Sequence, residues 1–243
     1  MGGGSAEEIA VMLDEHYNGL INIADYWVVG DTRTESITAI PSGTTGEAQS
    51  AQSVDLVILG MNHDDKADGN GKAAVTVQAK DSLKTKGYMN STLSGSSYSL
   101  WSTSQRRTWC NGDFKSALPD WLQELIKPVT KISNRYGYTG YESYRGQTTT
   151  TDDVFLLSEF ETFGTQQLDE STYGVLSSDG TQYEYMKIES NRIKNVGSSA
   201  YMWWLRSSFT TGNSGFISCH HTSGAGGTLG CNSTTGIAPA FCL

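Results

Sequence analysis

The sequence is poor in several residue types, and each shortage narrows the possible folds and functions. Proline occurs only 4 times against 27 glycines, a balance that favours short strands and flexible turns over a helical bundle. No apolar run approaches the roughly 20 residues of a spanning helix, so we expect no membrane insertion. Lys and Arg number 17 against 26 Asp and Glu, and this net charge of -9 argues against binding of nucleic acid.

The two ends of the chain and its cysteines add little beyond one folded unit. We predict that residues 1–5 (MGGGS) are a flexible lead without the apolar core of a secretion signal. Residues 6–243 contain no internal repeat or Pro-rich linker, and we expect them to form a single domain. The four cysteines, Cys110, Cys219, Cys231 and Cys242, are expected to be free thiols. A zinc site at Cys219, His220, His221 and Cys231 is disfavoured, because neighbouring histidines on a strand point to opposite faces.

Local patterns predict an α+β fold with two helices, short irregular strands and long loops. Helices are expected at residues 6–17, behind the N-cap Ser5, and at residues 113–127, which end at Pro128. Strands are expected at residues 20–30, 53–62, 153–159 and 182–188, and a tyrosine-rich loop at 134–151. Residues 64–71 are interpreted as a turn rather than a calcium loop, since Lys66 and Val75 replace two of the oxygen ligands.

No catalytic motif stands out. Nucleophile-elbow, P-loop, dinucleotide and zinc-protease patterns are all absent. His16 and His63 are isolated in the sequence, and the acidic pairs at 152–153 and 159/161 are more typical of solvated or capping positions. We therefore predict that the protein is not an enzyme and needs no metal ion or cofactor.

The last part of the chain is unusual in composition. Residues 207–243 contain no charged side chain, although 18% of the whole chain is charged. Lys, Glu, Gln, Met and Trp are all missing from residues 205–243, and these are the five residues that a codon ending in a pyrimidine cannot encode. Mutation confined to the adenines of AAC- or AAT-type codons would leave this gap. The alternative is a Gly/Ser/Thr-rich segment that lost its charges by chance or for packing.

Fixed and variable parts are expected within this C-terminal region. Trp203, Trp204 and Leu205 form an apolar anchor, and Arg206 can bind a carboxylate or backbone carbonyls. A final apolar strand is expected around Pro239. Residues 207–236 between these ends are small and polar, without periodicity, and form the candidate variable region.

This arrangement resembles the variable proteins of diversity-generating retroelements, in members carried by gut bacteria and their phages. The resemblance rests on WWLRSS at 203–208 and GIAPAF at 236–241, and on INIADYWVVGD, VDLVILGMNHDD, SQRRTWCNGDFKSALP and DDVFLLSE, in that order, between residues 21 and 159. Ser208 stands where such proteins usually have Pro, and Ala238 where Arg is common. The resemblance implies a C-type lectin fold of the formylglycine-generating-enzyme kind.

The resemblance also implies a receptor-binding function, in which diversified side chains on a constant scaffold bind a protein or glycan on a host cell surface. Such a protein is expected on a phage particle or in its bacterial host, and its oligomeric state stays open. Phe209 could instead cap the core, and either Phe216 or Ile217 is expected to face inward. The expected contact residues are Phe209, Thr210, Thr211, Asn213, Ser214, Phe216, Ser218, His220, His221, Thr222, Ser223, Asn232 and Ser233.

Two other functions remain open at this point. A formylglycine-generating oxidoreductase would need a close cysteine pair, whereas Cys219, Cys231 and Cys242 are widely spaced. A calcium-dependent carbohydrate-binding lectin would need carboxylate ligands from outside residues 207–243, which contain none.

Overall fold

The computed structural model describes residues 4–43, 45–92, 100–137, 140, 142–210 and 214–243. It has the α+β character expected from the sequence. Within the described residues, the longer strands form two five-stranded sheets, and two short strands form a separate hairpin. No helix among these residues has the length and apolar content needed to cross a bilayer.

The N-terminal helix confirms its prediction. α1 spans Ala6–Tyr17, and its N-cap is Ser5, whose hydroxyl accepts from the Glu8 backbone N–H while the Glu8 carboxylate accepts from the Ser5 N–H. This reciprocal capping box satisfies two backbone donors that a helix start leaves unpaired. Ile9 and Leu13, one turn apart, bury the inner face.

The prediction of one continuous helix at residues 113–127 is wrong. Pro119 restricts the residue before it, and Leu118 is extended at φ -70° and ψ 156°, which breaks the helix there. The chain forms a helical segment before this break and another after it. The segments on either side of the break are α3 Lys115–Ala117 and α4 Asp120–Leu125. The other helices after α1 are α2 Gln105–Trp109, which continues into a π-helical turn at Cys110–Phe114, α5 Glu159–Phe163 and α6 Glu170–Tyr173.

The first sheet contains strands from both ends of the chain. Its order is β1-β2-β3-β12-β6, and all its pairs are antiparallel. The C-terminal strand therefore lies inside the sheet, between β3 and β6. The strands are β1 Thr32–Ile37, β2 Gln52–Met61, β3 Val75–Ala79, β6 Val154–Phe155 and β12 Ala240–Cys242.

The second sheet carries most of the predicted variable region. Its order is β11-β10-β9-β4-β5, with one parallel pair between β4 and β9. Its strands are β4 Val129–Gly137, β5 Gly146–Asp152, β9 Trp203–Thr210, β10 Ser214–Cys219 and β11 Gly226–Gly230, and the separate hairpin is β7 Lys194–Val196 with β8 Ser199–Tyr201.

Several local predictions need correction. Residues 20–30 are not a strand: Asn22 caps a short 3-10 helix at Ile23–Asp25 through its side chain, which removes the backbone from extended pairing. Residues 182–188 contain a 3-10 helix at Glu184–Lys187 instead of a strand. The predicted loop at 134–151 is mostly the end of β4 and all but one residue of β5, because its threonine run pairs with β4.

Other local predictions are confirmed in whole or in part. The strand predicted at 53–62 corresponds to β2. Of the strand predicted at 153–159, only the two residues of β6 are extended in a sheet. Residues 64–71 form turns, in which Asp68 accepts from the Asn70 N–H at 2.9 Å and Gly69 and Gly71 have positive φ. This left-handed backbone favours glycine at both positions.

Candidate functional site

The predicted binding segment runs through β9, β10 and β11, which pair in succession at one end of the second sheet. β11 is the edge strand, and residues 220–225 connect it to β10. The predicted contact residues Thr211 and Asn213 lie outside the described residues, as does the side chain of Ser214.

The prediction that four contact residues face solvent is wrong. Phe209 is 9% exposed, Thr210 3%, and Phe216 and Ser218 are fully buried. The edge of the Phe216 ring meets Trp204 at 6.4 Å between centroids, and Phe209 meets Tyr173 in the same way at 6.4 Å. Both faces of the sheet are covered at these strands, so successive side chains are buried whichever way they point.

The remaining predicted contacts fall into two groups at opposite ends of β11. His220, His221, Thr222 and Ser223 precede the strand, whereas Asn232 and Ser233 follow it. Five residues of extended backbone separate the groups by about 14 Å. The exposed side chains of Ala225, Thr228 and Thr234 lie in and beside this interval. We call the whole set the edge strip; it comprises residues 220–223, 225, 228 and 232–234.

The loop before β11 is held mainly by its own backbone. The His220 N–H donates to Ala225 O at 2.8 Å, and the Gly224 N–H donates to His220 O at 3.0 Å. The Thr222 hydroxyl lies 3.0 Å from His220 Nδ1, and the His220 and His221 rings are 4.5 Å apart. Gly224 has φ +62°, and a Cβ there would lie 3.0 Å from Glu189 O. The Ser223 hydroxyl adds one longer contact, accepting from the Ala225 N–H at 3.4 Å, so backbone groups make the shorter of the bonds that hold this loop.

The turn after β11 is attached to a neighbouring segment. Cys231 O accepts from the Met89 and Asn90 N–H groups, both at 2.9 Å, and the Cys231 thiol donates to Thr92 O at 3.1 Å. The Ser233 N–H donates to Gly230 O at 2.9 Å. Asn232 is exposed and Ser233 is half-buried, so the turn offers polar groups on a fixed backbone.

One buried carboxyl supports the start of β11 through an intermediate residue. Glu159 accepts from the Gln167 N–H at 2.6 Å, and the Gln167 side-chain oxygen accepts from the Gly226 N–H at 3.2 Å. The Tyr136 hydroxyl also donates to Glu159. Burial raises the pKa of Glu159 to about 7, so this group changes charge near neutral pH.

The predicted role of Arg206 is confirmed, and the residue contacts both a carboxylate and backbone carbonyls. Its guanidinium donates to both carboxylate oxygens of Glu161, at 2.5 and 2.9 Å. It also donates to Leu156 O at 2.8 Å, and to Ile132 O at 2.8 and 3.1 Å. Arg206 is fully buried, so every donor group needs such a partner.

The ion pair continues into a buried network that the sequence did not reveal. Lys131 donates to Glu161 at 3.0 Å, to the Tyr183 hydroxyl at 3.1 Å, and to Asp64. Burial alone would lower the pKa of Lys131, but the charges of Asp64 and Glu161 raise it. Burial likewise opposes ionisation of Asp64 and Glu161, yet the adjacent cations lower both pKa values. The network therefore contains four ionised groups that neutralise one another: Asp64, Lys131, Glu161 and Arg206.

The other scaffold residues are buried as expected. The Trp203 indole N–H donates to Arg192 O at 2.8 Å, and that of Trp204 donates to Gly87 O at 2.7 Å. Pro239 is buried just before β12, and its carbonyl accepts from the Ala79 N–H at 2.9 Å. Trp203, Trp204 and Arg206 bring β9 into contact with several distant segments.

The reactive side chains occupy structural positions. The Cys219 thiol donates to Arg192 O at 3.3 Å, and burial raises its pKa to about 12, which disfavours the nucleophilic thiolate. His63 Nε2 lies 3.0 Å from Thr181 O, so this histidine is a hydrogen-bond donor in the fold. Among the residues that the structure describes, no group of three or more His, Cys, Asp or Glu side chains could hold a metal ion.

Two of the acidic residues that were expected to be solvated or capping groups have different roles in the fold. Glu161 is a capping residue of α5, because its carboxylate accepts from the Ser158 N–H while the Ser158 hydroxyl accepts from the Glu161 N–H. Asp152 is fully buried and bound to Arg107 and to the Trp101 indole, so a solvated role is wrong for it.

Burial accounts for much of the charge-free C-terminal stretch. Residues 207–210, 215–219 and 235–243 are buried, and an unpaired charge is rarely tolerated in such positions. The edge strip has no such constraint, and its lack of charge has no packing explanation.

Residues 73–243 match a protein family that is described as a domain of unknown function, DUF6273. The match covers more than two thirds of the chain. The chain belongs to the DUF6273 family. No curated protein and no solved structure matches it.

The region that matches DUF6273 contains most of the site. It includes Lys131, Glu161, Arg206 and the edge strip, whereas Asp64 lies before its first residue. The first 72 residues of this DUF6273 protein contain α1, β1 and β2, and Asp64, which follows β2, supplies the remaining carboxylate of the buried network.

Proposed function

We propose that this protein is a hypervariable ligand-binding protein of a diversity-generating retroelement, with the edge strip as its contact surface. Its ligand would be a protein or glycan on a host cell surface. The proposal includes no catalytic reaction, cofactor or nucleic acid, and assigns the protein to a phage particle or its bacterial host.

The observation that carries this proposal is the sharp division within residues 203–243. β9 is buried along its whole length and held by Arg206, whereas the edge strip is solvent-accessible over most of its length and bound chiefly through backbone atoms. A diversified site requires this division, because core substitutions typically cost about 2–5 kcal/mol and surface substitutions about 0.5 kcal/mol or less.

A C-type lectin fold of the formylglycine-generating-enzyme kind is part of the proposal. The position of the C-terminal strand inside the first sheet supports it, as does the burial of the WWLR and IAPAF sequences in neighbouring parts of the core. Such a scaffold leaves the loops between its last strands available to a ligand.

The chemistry of the edge strip favours adaptable recognition. His220 and His221 supply aromatic area with few rotamers, and Thr222, Thr228 and Asn232 supply hydroxyl and amide groups. Without fixed charges, the strip attracts no single class of ion. Its specificity would then depend on which side chains each variant carries.

A pair of displayed libraries tests this function. The first randomises His220, His221, Thr222, Thr228 and Asn232, and the second randomises the buried Phe209, Thr210, Phe216 and Ser218. We expect most members of the first library to fold and some to bind bacterial cells in a strain-dependent manner. Few members of the second should fold. Equal loss of folding in both libraries, or no cell binding by any folded member of the first, would argue against the proposal.

A further inference from the structure

The backbone of the edge strand β11 follows a regular alternation. In an antiparallel pair, residues that bond to the neighbouring strand alternate with residues whose N–H and C=O groups point to the other side. The His220 N–H donates to Ala225 O at 2.8 Å, which sets the position of the bonded pairs between β10 and β11. Two residues further along each strand, Ser218 and Gly227 form the next such pair.

The backbone of Gly226, Thr228 and Gly230 therefore faces the open side of the sheet. At the start of β11, the Gly226 N–H donates to the Gln167 side chain at 3.2 Å, which agrees with this orientation. At its end, Gly230 O accepts from the Ser233 N–H at 2.9 Å. Between these ends, no described residue bonds to the N–H or the C=O of Thr228 on the open side. Thr228 is exposed, so a backbone donor and a backbone acceptor are available at the middle of the edge strip.

The two edges of the first sheet show how this fold protects an edge strand. At β6, the Asn111 side chain donates to Val154 O at 2.9 Å and accepts from the Asp153 N–H at 2.7 Å. β1 carries the charged, mutually paired side chains of Arg33 and Glu35. Bound side chains and charges of these kinds prevent an edge from pairing with another chain. The middle of β11 has neither protection.

β5, at the opposite edge of the second sheet, provides a comparison. Its outward-facing Thr151 O accepts from the Arg107 guanidinium at 2.8 Å, and by the same alternation Thr149 also faces outward. No residue of the edge strip lies on β5. Thr149 therefore has an outward backbone without the candidate contact side chains, and it is a matched control for Thr228.

The position of Thr228 favours an extended peptide as the ligand. His220 and Thr222 precede β11 and Asn232 follows it, so a ligand that contacts both groups has to cross the open backbone between them. The N–H and C=O groups of an extended peptide repeat at about 3.3 Å per residue and match those of a strand, whereas a glycan has no such repeat. A second copy of this chain is disfavoured, because each copy carries a net charge of -9.

We propose that the edge strip binds its ligand by strand addition, in which an extended segment of a protein pairs with β11 at Thr228. This inference rests on the proposed function and narrows its ligand from a protein or glycan to a protein. The Thr228 backbone supplies the constant part of the contact, and the diversified side chains on either side select which segment binds. The paired segment is short, because Gln167 closes the edge at Gly226.

Selection of linear peptides against the full chain tests this inference. Random heptapeptides displayed on phage are selected on the immobilised protein, and the peptides obtained are synthesised and titrated by calorimetry. Thr228→Pro removes the outward N–H without removing a bond to β10, and should weaken peptide binding at least about tenfold. Thr228→Val keeps the N–H and should retain binding, as should Thr149→Pro on β5.

Hydrogen exchange of the parent protein keeps the test decisive if Thr228→Pro fails to fold. Read by NMR, the Thr228 amide should exchange rapidly in the free protein, whereas the Gly227 amide, which bonds to β10, should be protected. A saturating selected peptide should slow exchange at Thr228 at least about tenfold. Methylation of the peptide nitrogen that pairs with β11 should abolish binding.

Several results would overturn strand addition. They are a selection that yields no peptide, equal binding by the parent protein and Thr228→Pro, and unchanged exchange at Thr228 in the complex. Dimerisation that Thr228→Pro removes would assign the edge to a second copy. Cell binding by edge-strip variants that survives proteinase treatment of the cells would indicate a glycan, and would overturn strand addition while leaving the proposed function intact. Peptide binding at Thr228 without any cell binding by the library would contradict the proposed function alone.

Discussion

Arg206 donates from Nη1 and Nη2 to the two carboxylate oxygens of Glu161, at 2.5 and 2.9 Å. Arg206 is the last charged residue of the chain, and Glu161 caps the helix that begins at Glu159. Their contact joins β9 to α5 in the interior. The strand from which the charge-free region continues is thereby fixed at its centre.

Removal of one partner of this pair should be severe. Arg206→Met leaves Glu161 buried with only Lys131 as a cationic partner, and we expect the free energy of unfolding to fall by about 3–5 kcal/mol. Urea denaturation of the purified variant measures the loss. The exposed pair of Lys187 and Glu184 is the control, since Lys187→Met should cost about 1 kcal/mol or less. Similar losses in both variants would contradict a structural role for the buried pair.

The edge strip and the buried strands should differ in their tolerance of truncation. Phe216→Ala removes a ring packed on Trp204 and should cost about 3–5 kcal/mol, whereas His221→Ala should change stability by about 0.5 kcal/mol or less. Thermal and urea unfolding of the two variants give the comparison. A large loss in His221→Ala would mean that the loop is part of the scaffold.

Two glycines on neighbouring strands should respond differently to a methyl group. A Cβ at Gly215 would overlap the Phe209 ring and approach Leu229 O to 2.8 Å, while a Cβ at Gly227 would meet the Ser218 hydroxyl at an ordinary 3.4 Å. We expect Gly215→Ala to lose about 1–3 kcal/mol of stability and Gly227→Ala to stay near the parent protein. Matched unfolding curves check this, and equal stabilities would show that the Phe209 ring can move aside.

Stability should depend on the charge of Glu159. Burial raises its pKa to about 7 in the folded protein, so the folded state binds this proton more tightly than the unfolded chain does. The resulting stabilisation is fully present below about pH 4 and is lost as the pH rises through 7, a change of up to about 3 kcal/mol.

Glu159→Gln isolates this effect. The variant should gain stability relative to the parent protein between pH 5 and pH 8, as measured by urea unfolding at both values. Lys194, whose pKa burial lowers to about 7, is present in both proteins and cancels in the difference. A difference that stays constant from pH 5 to pH 8 would contradict the raised pKa.

The most predictable parts of the fold were those with local signals. Ser5 is the N-cap of α1 as expected, the apolar run at 53–62 forms β2, and the WWLR sequence is buried. These features depend on spacing along the chain, which the sequence contains directly.

The parts that could not be predicted depend on contacts between distant residues. Lys131 is a polar residue in an otherwise ordinary strand, and only the fold brings it to Asp64 and Glu161. Phe209 and Phe216 were among the expected contact residues, with an inward position left open for each, because a single strand does not reveal whether one or both sheet faces are covered. The half-buried His220 and His221 needed no such information, since they lie in the connection beyond β10.

The nucleotide sequence of the 3′ end of the gene, read with its flanks, tests the central claim most directly. The account predicts a near-repeat of this region that differs only at adenines, with the differences concentrated in codons of the edge strip, such as those of His220, His221 and Asn232. A repeat whose differences fall mainly in the codons of Phe209 and Phe216 would contradict the edge strip as the diversified surface. The absence of any such repeat and of a reverse transcriptase gene would contradict the proposed function itself.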